Sequence, residues 1–392
     1  MTSQLRSLIL FGVVLAAIVV DVSCGDRTEA PLPSPSSSGT TAQARSPSPA
    51  PTTTTPPLPT AKLIFVRNHT GAGYGSLHMA NIDGSEDVEL VPGEDASYVG
   101  LHREPGSGHL TLYYIVRIDP NNYQLRSRNL SSGERREIAT LDWQRDYSAP
   151  SASLNADASQ LAADHAAGVD IITTTLGESR RLLTNDSSGC QQTFDYSRCF
   201  SFTRPLFSPD GQLLLVTHGL YESQRLDIVD PGDGNTVAGV PGYQGDWSTT
   251  SNAICHTQSV GIDQGAFYLS VAPSWASDTV FGPGNESFES CTWLDEPTVA
   301  FVRVTGDDLS QWHVSSLSRT SGQISTLVSG QTPPRPYNLV RINASALIYN
   351  TVDTLDPASQ VFSQPQLIDI NTVAVVPILQ PGDVVLGVAE TA

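Results

Sequence analysis

Lysine is almost missing from this chain. Lys62 stands alone beside twenty arginines among 392 residues, against 40 acidic side chains, and the formal net charge is −19 at pH 7. So acidic a surface repels phosphate backbones, which argues against nucleic acid as a partner. Apolar length is missing too: the opening run from Leu8 to Val20 has thirteen residues, where a spanning helix needs about twenty. The sequence contains no G-x-S-x-G, no H-E-x-x-H, no P-loop and no G-x-G-x-x-G, so the chemistries those motifs carry have no visible seat. Cysteine is scarce, at Cys24, Cys190, Cys199, Cys255 and Cys291. No C-x2-C spacing occurs and only Cys255 has a neighbouring His, so no zinc site is expected. Asp230 to Asn235 looks like a calcium loop but lacks the closing Glu, and reads better as a hairpin turn. No metal and no cofactor is expected.

What is present begins with an address. Arg6, the apolar run to Val20 and the small Ser23 before Cys24 have the layout of a secretory signal. The end of the signal resembles the bacterial lipobox, whose Cys is lipidated and becomes the mature N-terminus. It departs from that motif at Asp21, where an aliphatic residue is usual, and simple secretory cleavage nearby is the alternative. Residues 1–24 are assigned to this signal. From 25 to 60 the composition turns to Pro, Ser and Thr, as in Pro31-Leu-Pro-Ser-Pro35 and Thr52-Thr-Thr-Thr-Pro56. Such a stretch buries too little to fold and is expected to be a disordered stalk.

Residues 61–392 carry strand signals and no convincing helix. A turn residue followed by a short strand recurs at Gly84, Gly133, Gly177, Gly234, Asp278, Gly322 and Asn371, spaced by 49, 44, 57, 44, 44 and 49 residues. That period is the length of a four-stranded propeller blade. An earlier turn in each unit is complete at Phe207-Ser-Pro-Asp-Gly211 and degraded at 154–158, 293–297 and 342–345. Asp157 and Asp210 share its slot, as turn formers rather than catalysts. The expected fold is an all-β propeller of seven four-stranded blades, with six blades and an insertion near 243–297 as the alternative. The first blade lacks an innermost strand, and Asp383 to Ala389 is a strand without a blade. The C-terminal strand is therefore expected to close the ring.

These repeats resemble the TolB-type β-propeller repeat, which also occurs in the propeller domains of prolyl-oligopeptidase-like enzymes. The resemblance covers 61 to about 389, is strongest at 149–184 and 203–240, and specifies a fold far better than a function.

If Cys24 carries lipid, four cysteines remain and three pairings are possible. The favoured one joins Cys190 to Cys199 across the long 57-residue interval, and Cys255 to Cys291 between blades five and six. Loops after second strands share one face of a propeller, and there lie Arg67, His69, Arg117, His165, His218 and Arg303. They form a candidate ligand face for an anion. The expected protein is a monomer, anchored outside the cytoplasm by lipid or else secreted. Its expected role is to bind an envelope or extracellular protein or a glycan, without catalysis. A propeller enzyme, lactonase- or lyase-like, and a purely structural spacer are the alternatives.

Overall fold

A computed structural model of the chain describes residues 59–68, 73–143, 149–186, 200–220, 224–261, 264–306, 309–353 and 361–389. Contacts divide the chain between Thr55 and Pro56, and the described residues belong to the second unit. The signal and stalk assignments, with Cys24, fall outside them, as do His69, Cys190 and Cys199.

Seven four-stranded antiparallel sheets follow one another in a ring. Blade one holds β1 (Lys62–Arg67), β2 (Ser76–Asn81) and β3 (Val88–Glu89), completed by β28 (Val384–Ala389). Blade two holds β4 (Ala96–Arg103), β5 (Leu110–Asp119), β6 (Asn122–Asn129) and β7 (Arg135–Asp142). Blade three holds β8 (Ala152–Leu154), β9 (Gln160–His165), β10 (Gly168–Thr173) and β11 (Ser179–Thr184). Blade four holds β12 (Ser201–Phe207), β13 (Leu214–Gly219), β14 (Gln224–Val229) and β15 (Thr236–Pro241). Blade five holds β16 (Gln244–Trp247), β17 (Ala253–Gly261), β18 (Gln264–Val271) and β19 (Ala276–Gly284). Blade six holds β20 (Ser287–Asp295), β21 (Thr298–Thr305), β22 (Gln311–Ser318) and β23 (Ile324–Gln331). Blade seven holds β24 (Arg335–Asn343), β25 (Ala346–Val352), β26 (Gln366–Asp369) and β27 (Ala374–Pro377). The stretch 243–297 is thus a blade and the first strand of the next, which removes the six-blade count.

Burial explains the sequence pattern. A second strand is covered on both faces by neighbouring blades, so it reads as a continuous apolar run, as in the buried Leu63-Ile-Phe-Val66. Outer strands show one face to water and alternate, as in β27. The core lies between blades: Ile64 and Val66 pack with Leu112 and Tyr114, and Phe267 with Phe288 and Phe301.

Turn chemistry sets the period. The recurring glycines open the outer hairpins with positive φ: 81° at Gly84, 76° at Gly133, 71° at Gly177, 79° at Gly234 and 70° at Gly322. Blade five departs from the expected start at Asp278, which lies inside β19. Its turn comes earlier, with Trp275 at φ 53° and its amide bonded to the Val271 carbonyl.

Ring closure follows the expected route. β28 pairs antiparallel with β1, from Lys62 opposite Ala389 to Val66 opposite Val384. Arg67 grips the buried Asp383 with two bonds of 2.9 Å, and the buried Asn350 of blade seven bonds both the amide and the carbonyl of Val385. The last strand is therefore fastened on both sides.

Candidate functional site

In blades two to seven the innermost strand ends at a hairpin to the second strand, and these hairpins share one face of the ring. A cavity of about 350 Å³ opens there. Its wall includes Leu154, Phe207, Trp247, Trp293 and Arg341. These residues come from five consecutive blades, and each pairs with the first or second residue of its own second strand: Leu161, Leu214, Ile254, Val299 and Leu347. That shared place brings them to the mouth of the central channel.

The rim is held from turn to turn. Asp210 accepts from the Gln212 amide at 3.0 Å, Asp157 accepts from the Ser159 amide at 3.0 Å, and Gly211 has φ 72°. Both carboxylates therefore form turns, as their slot implied. The Asp210 amide donates to Ser251 in the next blade at 3.0 Å. Glu296 accepts from the Thr249 hydroxyl and the Thr250 amide, each at 2.7 Å, and so ties blade six to blade five. The indoles bridge in the same direction: Trp247 Nε1 donates to the Leu206 carbonyl at 3.0 Å and Trp293 Nε1 to the Asp246 carbonyl at 3.2 Å.

Asp246 is the acidic member of the wall. Its carboxylate accepts from Thr292 Oγ1 at 2.7 Å and from the amides of Trp247 at 3.0 Å and Trp293 at 3.3 Å. Desolvation by burial pushes its pKa above the ordinary carboxylate value, against those donors and the nearby positive charge of Arg341. Arg341 itself is exposed and, among the described residues, its side chain makes no hydrogen bond or ion pair.

The residues singled out in sequence lie at the other face, near the ends of the second strands. Each of the five described ones holds a carboxylate. Arg67 pairs with Asp383 and with Asp87, Arg117 with Asp95, and Arg303 with Glu286 at 2.8 Å. In these three blades the carboxylate directly precedes the innermost strand, so the pair ties its entry to the exit of the second. His165 meets Asp170 at 3.2 Å and His218 meets Asp227 at 2.8 Å, in both cases a carboxylate of the third strand. Cys255 and Cys291 are joined, linking β17 to β20 with a Cα–Cα distance of 6.3 Å. Among the described residues no group of three His, Cys, Asp or Glu side chains converges as a metal site would.

The cavity residues went unmarked in sequence, although three of them, Leu154, Phe207 and Trp293, open the very turns that defined the repeat. Following the hairpins after first strands, as was done for those after second strands, would have found them. Trp247 and Trp293 are buried and also line the cavity.

No protein-family model matches the chain, and no curated protein is similar to it in sequence. Solved structures are similar to it in fold. An oligogalacturonate lyase in complex with manganese is similar with a TM-score of 0.55 at 11% identity, covering 82% of this chain and 86% of that one. A puromycin hydrolase variant complexed with PGG is similar with a TM-score of 0.55 at 12% identity, covering 81% of this chain and 52% of that one, about half its length. TolB from Acinetobacter baumannii is similar with a TM-score of 0.42 at 13% identity, covering 69% of this chain and 63% of that one. The fold is a seven-bladed β-propeller. At these identities the likeness is one of fold.

Proposed function

We propose that this protein is a lipid-anchored, extracytoplasmic propeller that binds a protein or glycan partner at the hairpin-face cavity without transforming it. The observation that carries this is the cavity itself, on the axis, with a rim fixed by bonds between the turns of successive blades. A concave site whose walls need no rearrangement gives affinity at low entropic cost. The signal-like start, the Pro-rich stalk and Cys24 support the address, because together they describe a domain held away from a membrane. The opposite face offers cations that are already matched by carboxylates, and so less free charge to a ligand.

A photo-activated cross-linker at Thr249 on the hairpin rim, compared with one at His165 on the far face, tests the site in cells. Adducts are expected from Thr249. Adducts from His165 alone would move the function to the other face. Mass spectrometry of the mature N-terminus tests the address, with acylated Cys24 expected and an unmodified start elsewhere counting against it. One observation favours a lyase- or lactonase-like enzyme instead: a carboxyl with raised pKa at a cavity wall is suited to proton donation. Turnover of a lactone or uronate by the purified propeller, lost in Asp246→Asn, would establish that role in place of simple binding.

A further inference from the structure

The polar groups of the cavity wall are nearly all spoken for. Ser208 Oγ accepts from the Leu213 amide at 2.9 Å and bonds Asp210 at 2.6 Å. Thr249 is held by Glu296, both indole nitrogens donate to main-chain carbonyls, and each oxygen of Asp246 has a donor. Around them lie Leu154, Leu206, Phe207 and Pro209. A sugar would bring a ring of hydroxyls and find few partners. Arg341 differs from all of these. It sits at the strand-end place that Leu154, Phe207, Trp247 and Trp293 fill in the preceding blades, and its guanidinium is uncommitted among the described residues. It is thus the cation of a recess whose other polar groups, Asp246 among them, already have partners, on a chain whose net charge is −19.

We infer that the ligand of this cavity is a carboxylate carrying an apolar body, with Arg341 binding the carboxylate and the recess taking the apolar part. This rests on the binding role proposed for the same cavity. A guanidinium offers two parallel donors to a carboxylate, while the apolar side chains of the recess take the rest of the ligand out of water. Two sources share the chemistry, the C-terminal residue of a peptide and a free apolar acid, and they differ in what lies beyond the first residue.

The test uses acetyl-Ala-Leu-Phe with a free C-terminus, the same peptide as its amide, and N-acetylphenylalanine. Binding to the purified protein is followed by calorimetry and by fluorescence of the wall tryptophans. The free-acid peptide is expected to bind roughly ten- to a hundred-fold tighter than the amide. That preference should vanish in Arg341→Gln and return in part in Arg341→Lys. N-acetylphenylalanine binding as tightly as the peptide would assign a small-acid ligand, and much weaker binding would assign a peptide terminus. Equal affinity for acid and amide, a preference that survives Arg341→Gln, or binding of neither acid would overturn the inference. Because Arg341 is exposed, the Gln variant is expected to keep the wild-type melting temperature, which is checked first. Cross-linking from Thr249 that persists in Arg341→Gln would leave the binding site standing while removing the carboxylate.

Discussion

At the scale of single residues, His256 shows how a titratable group becomes structural. Its Nδ1 lies 2.6 Å from the Pro241 carbonyl, which can only accept, so the proton must sit on Nδ1. Nε2 then accepts from Ser270 Oγ at 2.9 Å. Burial disfavours the imidazolium and lowers the pKa from 6.5 to about 4, although the Pro241 bond pulls the other way. The unfolded chain therefore takes up a proton near pH 6.5 that the folded chain refuses until about pH 4. Stability from this group is complete above the upper value and is lost as pH falls toward the lower one. Its slope approaches about 1.4 kcal/mol per pH unit within the window. In urea unfolding, wild type should lose stability more steeply between pH 6.5 and 4.5 than His256→Asn, whose amide cannot titrate. Parallel curves for the two proteins would refute the linkage.

At the scale of elements, hairpins were legible because their chemistry is short-range. Gly211 after Asp210 closes a turn whatever the rest of the chain does, and five glycines with positive φ mark the outer hairpins of blades one to four and six. Blade five was misplaced because a non-glycine, Trp275, takes the left-handed position there. The disulfide between blades five and six belongs to the favoured one of the three pairings that four cysteines allow. Only the packing of β17 against β20 brings Cys255 beside Cys291. Removing it as the double variant Cys255→Ala, Cys291→Ala should cost about 2–4 kcal/mol, read as a lower urea midpoint under oxidising conditions. The wild-type midpoint should fall toward the variant's when a reductant is added, and a midpoint unmoved by the double substitution would show that packing alone holds these blades together.

At the scale of the whole ring, the cavity and the closure share one property: each is made by residues far apart in sequence. Asp246, Arg341 and the two wall tryptophans come from three blades, and Leu154 and Phe207 from two more, so no window of sequence contains the site. Closure has a similar character. Asp383 is 1% exposed and depends on Arg67, 316 positions away, and Val385 depends on Asn350 of blade seven. Arg67→Met should strand a buried carboxylate and cost about 3–5 kcal/mol, whereas Arg67→Met with Asp383→Leu should recover much of that loss. Asn350→Leu should strand an amide and a carbonyl of Val385 at about 1–3 kcal/mol each. The two lesions act on opposite edges of β28, so both should free the same strand. Hydrogen exchange would show this directly, as faster exchange of amides in 384–389 while β13 and β21 keep their protection. If exchange rose equally in all blades, closure would not be the weak seam of the ring. The ring would then unfold as one body, with the last strand no more exposed than any other.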